Sequence, residues 1–178
     1  MEIIVFRSLL IPYNEGQMSQ TREHVASVVL PASPEAVFVS LVTPSAIRQW
    51  WGASRVIVHP RPGGLWAAAW GEDEDSPEYM TIARLGVYEP PVRLRLVEID
   101  YVAKREGAPP FEAKIETEFQ IDPATEKGSK LTVVQSGFPM DEEADSFYMS
   151  CKTGWHTTLA QLLAYHRSLA KADAPVRV

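Results

Sequence analysis

Cysteine, surplus positive charge and long apolar runs are what this sequence has least of. Cys151 is the only cysteine among 178 residues. No disulfide can therefore form within the chain, and a thiolate metal cluster is excluded. A lone thiol fits a reducing compartment, and the chain reads as cytoplasmic. Lys and Arg number 17 against 23 Asp and Glu, a formal net charge of −6. Nucleic acid needs a basic face to neutralise its phosphates, so it is excluded as a partner, and anionic membrane surfaces are disfavoured for the same reason. No stretch approaches the roughly 20 apolar residues of a membrane span, so no membrane insertion is expected. Glu2 precedes the first short apolar run and Arg7 breaks it, the wrong order for a signal peptide.

Chemical motifs are equally sparse. His24, His59, His156 and His166 include no pair at the close helical spacing of a zinc site, so neither a metal nor a cofactor is expected. There is no Gly-x-Ser-x-Gly elbow. Cys151 and His156 stand five residues apart, which misaligns them on a helix for nucleophilic catalysis. No catalytic residue is assigned on these grounds. Gly63-Gly64 lies between two strand patterns rather than before a helix, and reads as a turn instead of a phosphate loop. The acidic run at 72–75 lacks the ligand spacing of a calcium site and reads as a solvated loop.

What is present is the pattern of one α+β domain. Hydrophobic residues make up 46% of the chain, enough for a chain of this length to bury roughly 70% of its unfolded surface without disulfides or metal. Residues 1–17 read as an N-terminal extension, either a loose tail or an added edge strand or homodimer contact. Residues 18–172 form the domain, and 173–178 a tail. Val25, Val28 and Val29 mark a strand over 21–30. Ser33, Pro34 and Glu35 then supply the cap, first turn and favourable charge of a short helix. Thr43-Pro44 restarts the same signal, and a second short helix runs to about Trp50. Strands follow over 55–60, 65–70 and 78–88. In the next, over 92–104, the apolar residues change phase from Val92, Leu94 and Leu96 to Val97, Ile99 and Tyr101, which predicts a β-bulge. Strict alternation over 111–122 predicts a half-buried strand, and 129–136 returns beside it. A last helix spans about 142–171, with Tyr148, Cys151, Trp155, Leu159, Leu162, Leu163 and His166 on one stripe. Only the concave face of the sheet can cover that stripe. Gly154, inside the helix, is expected to mark a close approach to the sheet.

Several of these segments together resemble a known family. Pro34-Glu-Ala-Val-Phe38, Gln49-Trp-Trp-Gly52 and Arg61-Pro-Gly-Gly64 are similar to the START-like (SRPBCC) superfamily, in the branch related to the heat-shock-protein-90 ATPase activator. Tyr88-Glu-Pro-Pro91, Gln135-Ser-Gly137 and Gly154-Trp155 agree with it. The resemblance implies a helix-grip fold, a curved antiparallel sheet around a long C-terminal helix with two short helices. Relatives include lipid carriers and polyketide cyclases, so fold leaves function open. His59-Pro60 stands where the branch usually carries an acidic residue, which argues against a carboxylate role there. The co-chaperones proper carry a further N-terminal domain for which this chain has no room, which argues against a chaperone partner.

Three functions follow as expectations. The first is binding of a hydrophobic or amphipathic small molecule, such as a lipid, in an apolar cavity between sheet and helix. Trp51, Trp66, Tyr79, Ile99, Phe119 and Trp155 are the candidate lining residues, and one of the adjacent Trp50 and Trp51 is expected to face the cavity. The second is a cyclase- or hydrolase-like proton-transfer enzyme in the same cavity, with Tyr79, Tyr101, Tyr148 and Glu98 as candidate titrating groups. The third is a chaperone-related protein-interaction module.

Overall fold

The computed structural model describes residues 20–73, 75–104, 108–109, 111–125 and 128–172. The expectations for residues 1–17 and 173–178, and the Glu74 part of the acidic run, lie outside the described residues. The elements run β1 (Thr21–Leu30), α1 (Pro34–Val42), α2 (Pro44–Trp51), β2 (Arg55–Val58), β3 (Leu65–Trp70), β4 (Tyr79–Glu89), β5 (Arg93–Ala103), β6 (Glu116–Thr125), β7 (Gly128–Pro139), a single 3-10 turn (Glu142–Ala144) and α3 (Asp145–Ala172). The seven strands form one antiparallel sheet in the order β1-β7-β6-β5-β4-β3-β2. The two short helices thus carry the chain from one edge of the sheet to the other, and a meander brings it back to β1.

Local chemistry explains the helix boundaries. Ser33 Oγ accepts from Ala36 N at 3.3 Å, and Pro34 occupies the first helical position. Thr43 ends α1 and starts α2, with Pro44 again at the first position. Gly52 closes α2 in the left-handed conformation at φ 69°, a cost that glycine avoids. Three helices meet at Ser40. Its hydroxyl donates to Val37 O at 2.7 Å, so its oxygen can only accept from His166 Nε2, 3.2 Å away on α3. Trp50 Nε1, on α2, donates to Ser40 O at 2.9 Å.

Inward residues of the strands build the core. Leu131 and Val133 on β7, Phe119 and Ile121 on β6, and Leu94 and Leu96 on β5 are buried beneath Phe38, Leu41 and Ile47 of the short helices and Leu159 and Leu162 of α3. On the outer face of β5 and β6, Arg95 lies opposite Glu118 and pairs with it at 2.5 Å.

The predicted change of phase in β5 is a bulge. Ile82 pairs with Asp100 but Arg84 pairs with Val97, so β5 carries one extra residue, and Glu98 sits at φ 51°. A second shift, between Leu85 and Val87, puts the extra residue on β4. β5 pairs with β6 only over residues 93–96. Beyond the bulge it runs on beside β4.

Three expectations need correction. The strand expected from residue 111 begins at Glu116. Phe111 does face inward, its ring edge-on to Phe147 at 5.8 Å, and Ile115 is buried. Alternation records which side chains point inward, but a strand also needs a neighbour, and bulged β5 offers none there. At the other end β6 continues through Pro123 to Thr125 and β7 runs from Gly128 to Pro139, beyond the expected bounds at residue 122 and at 129–136. Gly154 makes no close approach, since a Cβ built on it meets nothing within 4 Å. A real close approach occurs at Gly137, at φ 88°, where a Cβ would fall 2.1 Å from Lys114 O.

Candidate functional site

All five tryptophans of the chain gather around Trp51. Trp50 stacks on it at 4.9 Å and 16°, and Trp66, Trp70 and Trp155 surround it at 5.4–5.7 Å in tilted or edge-on contact. Such offset and edge contacts suit the ring quadrupoles. Four indole N–H groups have partners: Trp50 with Ser40 O, Trp66 with Leu41 O, Trp70 with Trp51 O and Trp155 with Gln135 Oε1. Trp51 has no such partner among the described residues, and it is only half-buried.

It is half-buried because it borders a cavity of about 670 Å³ between the sheet and α3. Trp51 and Trp70 form one wall, Tyr79, Ile99 and Tyr101 of the β4–β5 pair another, and Cys151, Gly154 and Trp155 of α3 the third. The structure places five of the six expected lining residues there: Trp51, Trp66, Tyr79, Ile99 and Trp155. Phe119 is a correction. It is buried with its ring edge-on to Trp155 at 5.7 Å, one layer behind the wall. Of the adjacent tryptophans, Trp50 is sealed in the core and Trp51 faces the cavity.

The polar lining converges on Gln135, which sequence reasoning did not single out as a site residue. Trp155 Nε1 and His24 Nε2 both lie 3.0 Å from Gln135 Oε1, and Gln135 Nε2 donates to the Tyr101 hydroxyl at 2.9 Å. The available signal was a polar residue on an apolar face, since Gln135 follows Leu131 and Val133 along the inward side of β7. Thr117 gave the same signal on β6, ahead of Phe119 and Ile121.

Burial pushes the Tyr79 phenol and the Cys151 thiol each up to about 12, and raises the Tyr101 phenol further still. All three therefore stay protonated at neutral pH. Two expected proton-transfer candidates lie elsewhere. Glu98 is exposed at the bulge, and Tyr148 donates to Glu23 O at 3.1 Å beneath the Arg22 guanidinium. Glu143 is the one carboxylate on the lining and no Lys, Arg or His joins it, among the described residues. Nor does any group of three or more His, Cys, Asp and Glu among them suit a metal ion.

His24 and His166 are 5% and 2% exposed, and desolvation lowers the pKa of each. For His24, Lys152 and His156 add to that, while the bond to Gln135 opposes it. A lowered imidazole pKa gives stability that is complete above the unfolded value near 6.5 and is lost as pH falls toward the folded value. Unfolding free energy is expected to drop by about 1–2 kcal/mol between pH 7 and pH 5.5, at no more than about 1.4 kcal/mol per pH unit for each histidine. Urea unfolding at the two pH values checks this, and His166→Asn should flatten the dependence.

A curved antiparallel sheet gripping a long C-terminal helix over a cavity defines a helix-grip protein. The chain belongs to the family described as Activator of Hsp90 ATPase homolog 1-like protein, whose model matches residues 31–167. No curated protein matches the chain. Among solved structures it is similar to protein MLL2253 from Mesorhizobium loti, at 20% identity and a TM-score of 0.65, covering 86% of this chain and 100% of that one. Protein CV1439 from Chromobacterium violaceum matches at 22% identity and a TM-score of 0.61, over 80% and 95% of the two chains. DynU16, of the dynemicin biosynthetic locus, matches at 16% identity and 0.62, over 80% of this chain and 46% of that one. At these identities the likeness is one of fold. No helix among the described residues is long and apolar enough to cross a membrane.

Proposed function

We propose that the protein binds an apolar small molecule in the cavity between its sheet and α3. The observation that carries this reading is the cavity itself. It holds about 670 Å³, within the range of small-molecule sites, and its wall is mainly apolar, with aromatic rings from Trp51, Trp70, Tyr79 and Trp155 and several polar side chains. A core serving stability alone would be filled, because protein interiors pack with few voids larger than a water molecule. The protonated state of Tyr79, Tyr101 and Cys151 at neutral pH favours holding a guest over transforming it. DynU16 belongs to a biosynthetic locus, a setting in which a carrier of apolar intermediates has a use.

Titration with N-phenyl-1-naphthylamine, a neutral dye that brightens in apolar surroundings, tests the proposal. One saturable site is expected, with quenching of tryptophan emission in step. Native mass spectrometry of protein from its own host should reveal a co-purifying small molecule. Absence of saturable dye binding together with a bare-chain mass would overturn the reading.

A further inference from the structure

We infer that the guest is a neutral molecule that presents a carbonyl-type oxygen to the Tyr101 hydroxyl, at a subsite whose hydrogen-bond polarity is set by Trp155 through Gln135. The inference rests on the cavity-binding function proposed above and adds what the cavity selects.

The polarity follows from one group that has no choice. An indole N–H can only donate. Trp155 Nε1 lies 3.0 Å from the Gln135 side chain, so the atom facing it must be the amide oxygen. That assigns the flip of the amide from chemistry, which atomic positions alone leave open. His24 Nε2, also 3.0 Å from that oxygen, must then carry its hydrogen. The two lone pairs of Oε1 are thereby used, and the amide nitrogen faces Tyr101. An amide nitrogen donates, so the Tyr101 oxygen accepts at 2.9 Å and its own hydrogen is directed elsewhere. The Tyr101 hydroxyl makes no other hydrogen bond among the described residues, and Tyr101 lines the cavity. What the site offers a guest at this point is therefore an O–H donor, and burial keeps that phenol protonated.

The remainder of the lining sets the charge and shape of the guest. With Glu143 as the only lining carboxylate and no lining cation among the described residues, an anionic guest would lose hydration without gaining a counter-ion. Trp51, Trp70 and Tyr79 offer ring faces and edges to a flat, apolar body. A neutral, flat molecule with an acceptor oxygen meets all three conditions. A hydrocarbon of the same outline would leave the phenol unpaired, and a donor-only group would meet another donor.

Two probes of one shape separate the inference from the reading beneath it. 2-Acetylnaphthalene carries the carbonyl, and 2-isopropenylnaphthalene has a methylene in place of that oxygen. Each is titrated by calorimetry into the protein and into Tyr101→Phe, whose fold is checked by thermal unfolding. The variant is expected to bind the ketone roughly 3–10-fold more weakly, the worth of one neutral hydrogen bond, and the hydrocarbon as tightly as the parent or more so, because no phenol is left unpaired. The carbonyl stretch of the bound ketone should lie below its value in hydrocarbon solvent, and the variant should restore it. If both probes bind and Tyr101→Phe affects them alike, or the bound carbonyl keeps its hydrocarbon-solvent frequency, the acceptor subsite is wrong while cavity binding stands. If neither probe binds the parent protein, cavity binding fails and the subsite goes with it.

Discussion

Gln135→Leu is expected to destabilise the protein by about 4 kcal/mol, although it removes no bulk from the core. Leucine has a similar shape, so no large void opens. What disappears is the single acceptor shared by Trp155 Nε1 and His24 Nε2, both buried. A buried donor left without a partner costs about 1–3 kcal/mol, and two are orphaned at once. Tyr101 adds little, because its hydroxyl can turn to water in the cavity. His24 Nδ1 has no hydrogen-bond partner to begin with, so the imidazole has no second bond to fall back on. Guanidinium unfolding measures the loss. Adding Trp155→Phe should recover part of it, since removing both partners costs less than stranding one. A loss under about 1 kcal/mol for Gln135→Leu would mean that water reaches these donors and that the amide is not the keystone of the site.

Position 154 is expected to separate stability from binding by more than tenfold. A Cβ on Gly154 would meet nothing within 4 Å, and the residue borders the cavity in mid-α3. Gly154→Ala should stabilise the helix by about 1 kcal/mol and leave dye binding intact. Gly154→Leu gains similar helix propensity but extends a side chain from the cavity wall. Its affinity for N-phenyl-1-naphthylamine should fall by more than tenfold, the loss expected when a guest and a side chain of about four carbons compete for one space. Dye fluorescence and thermal unfolding are recorded on the same samples. Unchanged affinity in a stable Gly154→Leu protein would place the dye outside the cavity.

Both variants concern residues whose meaning was only partly visible in the sequence. Gly154 is anomalous in a helix, and a close contact with the sheet was the natural explanation. The opposite holds: the residue faces space. A missing side chain fits either account, and only the position of the opposite wall decides between them. Gln135 stands on the apolar side of an alternating strand, a legible anomaly, but its three partners come from β1, β5 and α3. No spacing rule links residues 24, 101, 135 and 155. Phe119 was misplaced by the same limit. Its face of β6 was read correctly, but a face says nothing about how many layers separate it from the opening.

The bulge in β5 lies between these cases. The phase change from Leu96 to Val97 announced it, and the register confirms one extra residue near Glu98. That it also leaves residues 111–115 without a strand partner, while Tyr101 beyond it lines the cavity, required the paired sheet to be seen.

The sequence alone determined the element order, the inward face of β6, the bulge in β5, the two short helices with the Ser33 cap on the first, and the family. These are encoded by periodicity and by residues at fixed offsets, which act within a few positions of the chain. Only the tertiary structure decided that five tryptophans meet around Trp51, that Trp155, Gln135 and Tyr101 form one chain of hydrogen bonds, and that the space beside them stays open. Those facts depend on how far the sheet bends away from α3. That curvature is the sum of strand twist, bulges and packing over the whole domain, and no local stretch of residues contains it.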